Sequence, residues 1–95
     1  MTNEIMKNIY NNVKYLCKRD NITLAGLEKE LGVAVGYMSK VYGKVGDIGI
    51  LKVVDISERF NVPIDELIYK DLQKRDRIAK LREELERLVN GNEID

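Results

Sequence analysis

Apolar residues recur at Ile5, Ile9, Val13 and Leu16, with Met6, Tyr10 and Cys17 widening the stripe, a spacing that predicts one amphipathic helix over residues 3–19. Thr2 or Asn3 caps its start. The stretch KRDN supplies a basic last turn and, in Asn21, a residue that tolerates the left-handed backbone of a helix end. Thr23 is the N-cap of a short second helix, TLAGLEKELG, with Leu24, Leu27 and Leu31 on one face and Gly32 ending it. A tight turn leads to a third helix over about 35–42, with Met38 and Val41 inward and Gly43 and Gly46 closing it. Asp47 caps a fourth, IGILKVVDISERF, whose inward positions are Ile50, Val53, Val54, Ile56 and Phe60. Pro63 opens a fifth, PIDELIY, with Asp65 and Glu66 against the positive end of its dipole. No stretch alternates as a strand, so residues 1–69 read as one all-α unit.

From Lys70 the pattern changes. In KDLQKRDRIAKLREELERLVNGNEID, Ile78, Leu81, Leu85 and Leu88 follow the spacing of coiled-coil a and d positions, and Asn90 and Gly91 end the helix. Asp76 with Lys80, Arg82 with Glu86, and Glu83 with Arg87 form i,i+4 pairs on its flanks. Residues 70–95 thus predict a C-terminal helix suited to self-association. The same narrow seam could fold back on its own domain or cover a partner. In a parallel pair Arg77 would face Arg82 of the other chain, a like-charge contact.

Composition narrows the chemistry. The chain has 95 residues, 44% hydrophobic and 34% charged, the balance of a folded helical protein and not of a disordered one. It contains one cysteine and no histidine, which excludes an internal disulfide and the usual zinc spacings. Cys17, on the apolar stripe of the first helix, reads as core. Without a carboxylate pair or a Gly-rich phosphate loop, no enzyme, metal or cofactor is expected. Neither a signal peptide nor a membrane span is evident, so a cytoplasmic location is expected. The 16 basic and 16 acidic residues cancel, and residues 1–62 carry nine basic against seven acidic groups. Within residues 31–46 the charges are Lys40 and Lys44, a small positive surface at most.

Four blocks at matching spacings carry a resemblance over about residues 5–68. They are Thr23, Leu27, Leu31, Gly32 and Val33; the run Tyr37-Met38-Ser39-Lys40-Val41; Ile50, Val53, Val54 and Ile56; and the run FNVPIDELI from Phe60 to Ile68. Together they resemble the lambda-repressor-like, Xre/Cro/CI-type helix-turn-helix regulators, above all those of phages and mobile elements. The resemblance implies a five-helix DNA-binding domain and a transcriptional regulator, a repressor acting as a dimer on a palindromic operator in double-stranded DNA, with its third helix in the major groove. It places base-facing positions on Val35, Gly36, Tyr37 and Lys40, and phosphate contacts on Thr23, Ser39, Gly43 and Lys44. The alternative is a helix-turn-helix-fold interaction module that binds another regulator and not DNA.

This chain departs from that family in informative places. Leu24 stands where a phosphate-contacting Gln is frequent, and Tyr42 and Lys44 replace a common Glu and Gly. Glu28 occupies a position where many members have a small Ala between the second and third helices. Two readings follow. Glu28 is exposed, or its stem fits over Gly36 while its carboxylate caps the unpaired N–H groups of the third helix, for which Ala34 is a poor N-cap. Tyr37 likewise has two, as a DNA contact or as a residue packed at the edge of the core.

Overall fold

The computed structural model describes residues 3–43 and 48–94, and every element within them is an α-helix. In chain order these are α1 (Asn3–Arg19), α2 (Leu24–Glu30), α3 (Tyr37–Gly43), α4 (Ile50–Phe60), α5 (Ile64–Tyr69) and α6 (Leu72–Ile94). Met6, Ile9, Val13, Leu16 and Cys17 of α1 are buried, so the helical stripe read from the sequence is the central element of the core. Leu27 of α2, Met38 of α3, Val53, Ile56 and Phe60 of α4, and Leu67 of α5 close around it.

Three helices stop in the same way. Asn21 (φ 59°), Gly32 (φ 74°) and Asn61 (φ 54°) adopt the left-handed conformation after α1, α2 and α4. In each case the next N–H reaches back five residues: Ile22 to the Cys17 carbonyl (2.9 Å), Val33 to Glu28 (3.0 Å) and Val62 to Ser57 (3.0 Å). The residue making that bond is apolar each time and turns toward the core, the hydrophobic half of a Schellman ending. Thus D-N-I, L-G-V and F-N-V end a helix and start the next turn with one local device.

Several boundaries differ from the sequence expectation. α3 begins at Tyr37, two residues late, because Val35 and Gly36 form a turn in which Gly36 has φ +93°. α4 begins at Ile50 after Gly49, and Asp47, expected as its cap, lies outside the described residues, as does Gly46. Ile50, the first residue of that helix, is exposed and not inward. Pro63 is the N-cap of α5 and not its first residue. α6 runs through Asn90 and Gly91 to Ile94, since one glycine weakens a helix by only about 1 kcal/mol and no proline follows.

The root of α6 is held firmly. Leu72 is completely buried, and Asp71 caps the helix by accepting from the Lys74 N–H at 3.0 Å. Asn12, buried on α1, donates to the carbonyls of Leu67 (2.8 Å) and Lys70 (2.7 Å) and accepts from the Leu72 N–H (3.1 Å). One turn earlier, Asn8 donates to the carbonyls of Ile68 (2.6 Å) and Lys70 (3.1 Å). One turn later, the Tyr15 hydroxyl donates to Asp76 at 2.6 Å, and Arg75 bridges Asp76 and Glu66. Asn8, Asn12 and Tyr15 lie at i, i+4 and i+7 and form a polar edge to the apolar stripe of α1. Beyond these turns α6 leaves the domain, which gives the molecule extents of 58 × 26 × 19 Å.

Candidate nucleic-acid interface

The α2–turn–α3 unit is braced from both ends by groups that do not belong to the helix they cap. A helix start leaves N–H groups without internal partners, and neither Ala34 nor Val35 has a side chain to serve them. Glu28 does so from α2: its carboxylate oxygens accept from the Gly36 N–H at 3.1 Å and the Met38 N–H at 2.9 Å. The side chain is 2% exposed, so of its two sequence readings the buried cap is the one realised. Its relation to Gly36 is different from the expected one. A Cβ at Gly36 would meet nothing within 4 Å, so the glycine is required by its positive φ and not to make room for the glutamate stem.

At the other end, α4 secures the C-terminus of α2. Lys52 donates through Nζ to the Leu31 carbonyl at 2.8 Å, and Arg59 pairs with Glu30 at 2.7 Å. A cation at the negative end of a helix is the favourable polarity. The Arg59–Glu30 pair is solvent-accessible and adds little by itself, whereas the Lys52 bond satisfies a carbonyl.

The candidate contact residues separate by environment. Val35, in the turn, is 59% exposed, and Lys40 is exposed on α3. Thr23 is exposed at the start of α2, where its hydroxyl accepts from the Gly26 N–H at 2.9 Å and keeps its own proton to donate. Gly36 is half-buried, Tyr37 is half-buried with its ring against the core cluster, and Gly43 is the last residue of α3. Lys44 lies outside the described residues. Ser39 is exposed but not idle: its hydroxyl and that of Tyr10 on α1 are 3.3 Å apart. Lys14 lies over the Tyr10 ring, 4.6 Å from its centre, a cation–π contact that brings a cation of α1 beside α3.

Tyr10, Lys14, Asn8 and Asn12 are structural partners that the hydrophobic pattern alone does not single out. Only the asparagines left a signal, as polar residues four apart beside an apolar stripe. The other candidate surface is on α6. Ile78, Leu81, Leu85 and Leu88 are all exposed, from 41% at Ile78 to 67% at Leu88, with Val89 beside them. The i,i+4 pairs expected on its flanks form no ion pair among the described residues, and Asp76 turns to Tyr15 and Arg75 instead of Lys80.

Among the described residues no helix is long and apolar enough to cross a membrane, and no group of three or more acidic or cysteine side chains is placed to hold a metal ion. No protein-family model matches this chain, and no curated protein or solved structure matches it either.

Proposed function

We propose that this protein is a sequence-specific DNA-binding transcriptional regulator, a repressor of the lambda-repressor-like type that acts as a dimer with α3 in the major groove. The observation that carries the reading is the α2–turn–α3 unit. Its two short helices are capped by Glu28 and Lys52, while Val35, Ser39 and Lys40 remain on its outer surface. A helix fits the major groove, and such rigid bracing holds its side chains in register with base edges.

In this reading Lys40 donates to guanine O6 or N7 and Val35 touches a thymine methyl, while Thr23 donates its hydroxyl proton to a phosphate. Tyr37, packed against the core, contributes the edge of its ring. So sparse a set of polar readers makes specificity depend on methyl contacts, DNA shape and half-site spacing. The exposed leucine seam of α6 supplies the dimer that this spacing requires.

That same seam, with a net charge of zero, favours a second reading in which the module binds another regulator and not DNA. A gel shift on the DNA upstream of its own gene, run over a salt series, separates the two. A specific band that weakens steeply with salt is expected, and Lys40→Ala should weaken the specific complex by about 1–3 kcal/mol. No specific band at moderate salt, with a co-purifying protein instead, sinks the repressor reading.

A further inference from the structure

The charges along α6 are unevenly divided. Residues 70–82, its root with the two residues before it, carry six basic and two acidic side chains, whereas residues 83–91, toward its tip, carry one basic and three acidic. One of the two root acids, Asp76, is already held by Tyr15 and Arg75. Among the described residues Lys74, Arg77, Lys80 and Arg82 make no ion pair within the chain, and neither do Glu83, Glu84 and Glu86. The leucine seam therefore crosses from a positive half to a negative half of one helix.

A groove opens beside the root. Tyr69, at the end of α5 and 72% exposed, forms its wall with Ile78 and Ala79, and Lys70, Lys74, Arg75 and Arg82 rim it together with one acid, Asp71. An exposed tyrosine beside an exposed isoleucine, ringed by cations, fits an apolar segment bearing negative charge. The tip of α6, with Leu85 and Leu88 among Glu83, Glu84 and Glu86, has that composition.

We propose that α6 pairs antiparallel with α6 of a second copy, so that the acidic tip of each lies along the basic root of the other and closes the Tyr69 groove. This rests on α6 as the dimer contact of the functional reading above. Ile78 then stands opposite Leu88 of the second copy and Leu81 opposite its Leu85. In that register Arg82 comes beside Glu86 and Lys80 beside Glu84 of the second copy, two pairs of each, against one like-charge meeting each of Arg82 and of Glu84 with its own counterpart across the two-fold axis. A parallel pair would instead stack root on root, place Arg77 against Arg82, and leave the groove open. Charge complementarity of this kind selects orientation more than it adds affinity.

Cysteine cross-linking decides the orientation without DNA. Ile78 and Leu88 are ten residues apart, about 15 Å along a helix, well beyond the roughly 7 Å between Cα atoms that a disulfide spans. Both side chains are exposed, and the native Cys17 is buried. Full-length Ile78→Cys and Leu88→Cys chains, each verified as helical, are oxidised separately and as a refolded equimolar mixture. The expected result is a cross-linked dimer in the mixture alone. Cross-linking in either variant by itself indicates a parallel seam and overturns the proposal while leaving α6 as the dimer contact. A native chain that runs as a monomer in light scattering, or a dimer whose mixture never cross-links, overturns the proposal and the α6 contact together. As a second measurement, reversing Lys80 and Arg82 to Glu should weaken dimerisation at least tenfold, and adding Glu84→Lys with Glu86→Lys should restore it. Failure of that rescue also counts against the antiparallel arrangement.

Discussion

The carboxylate of Glu28 on α2 accepts the backbone N–H of Met38 on α3 at 2.9 Å, inside the protein, and so joins two helices by capping one from the other. The position joins an acidic residue to a buried interface without leaving the charge unpartnered. Its second oxygen takes the Gly36 N–H, so each oxygen has a donor.

Removing this cap should be costly. Glu28→Ala leaves two N–H groups without their acceptor, and each buried unsatisfied group costs about 1–3 kcal/mol. A loss of roughly 2–6 kcal/mol follows, which for a chain of this size lowers the melting temperature by about 8 °C or more. Glu28→Gln keeps one good acceptor and should fall between. An unchanged midpoint for the alanine variant in a thermal melt would show that the cap contributes nothing.

Gly36→Ala tests backbone conformation separately from space. The new methyl meets no atom within 4 Å, yet the residue must hold φ +93°. A loss of about 1–2 kcal/mol in urea denaturation is expected from conformation alone. A neutral effect would mean that the turn relaxes to a negative φ.

Asn12→Ala should release the root of α6. It removes two donated bonds and one accepted bond at the α5–α6 junction, a loss on the order of 3 kcal/mol. Asn12→Asp should be worse, because it sets a carboxylate against two carbonyl oxygens. Hydrogen exchange at the Leu72 amide reports the release directly; protection as strong as in the native chain would place the anchor elsewhere.

Burial pushes the Cys17 thiol up to about 11, against an ordinary value near 8.5 in the unfolded chain. The folded state therefore favours the neutral thiol. Its contribution to stability is complete below the unfolded value and is lost as pH rises through about 11. The Tyr15 hydroxyl, raised by its hydrogen bond to Asp76, acts in the same direction. Stability should decline from about pH 9 upward, and a thiol reagent at pH 8 should label Cys17 quickly only after urea is added. Fast labelling of the native chain would contradict the burial.

Much of the fold was legible because its causes are local. The stripe from Met6 to Cys17 and the left-handed endings at Asn21 and Gly32 each follow from residues within one or two turns. Asn61 carries the same signal after α4 as Asn21 does after α1. The Glu28 cap was also legible, since a charged residue at a close helix contact must find a partner. Of the candidate contacts, Val35 and Lys40 are on the surface as read, whereas Ser39 is engaged with Tyr10 and Tyr37 leans on the core.

By itself the sequence determined which segments are helices, where most of them end and which faces turn inward, because periodicity and end residues act over a few positions. Tertiary structure decided how those helices are tied together. Asn8 and Asn12 serve carbonyls about sixty residues away, Lys52 serves the end of α2, and α3 starts only where Glu28 supplies acceptors. A polar side chain can satisfy any buried backbone group that folding brings within reach, and that reach is set by the packed helices and not by spacing along the chain.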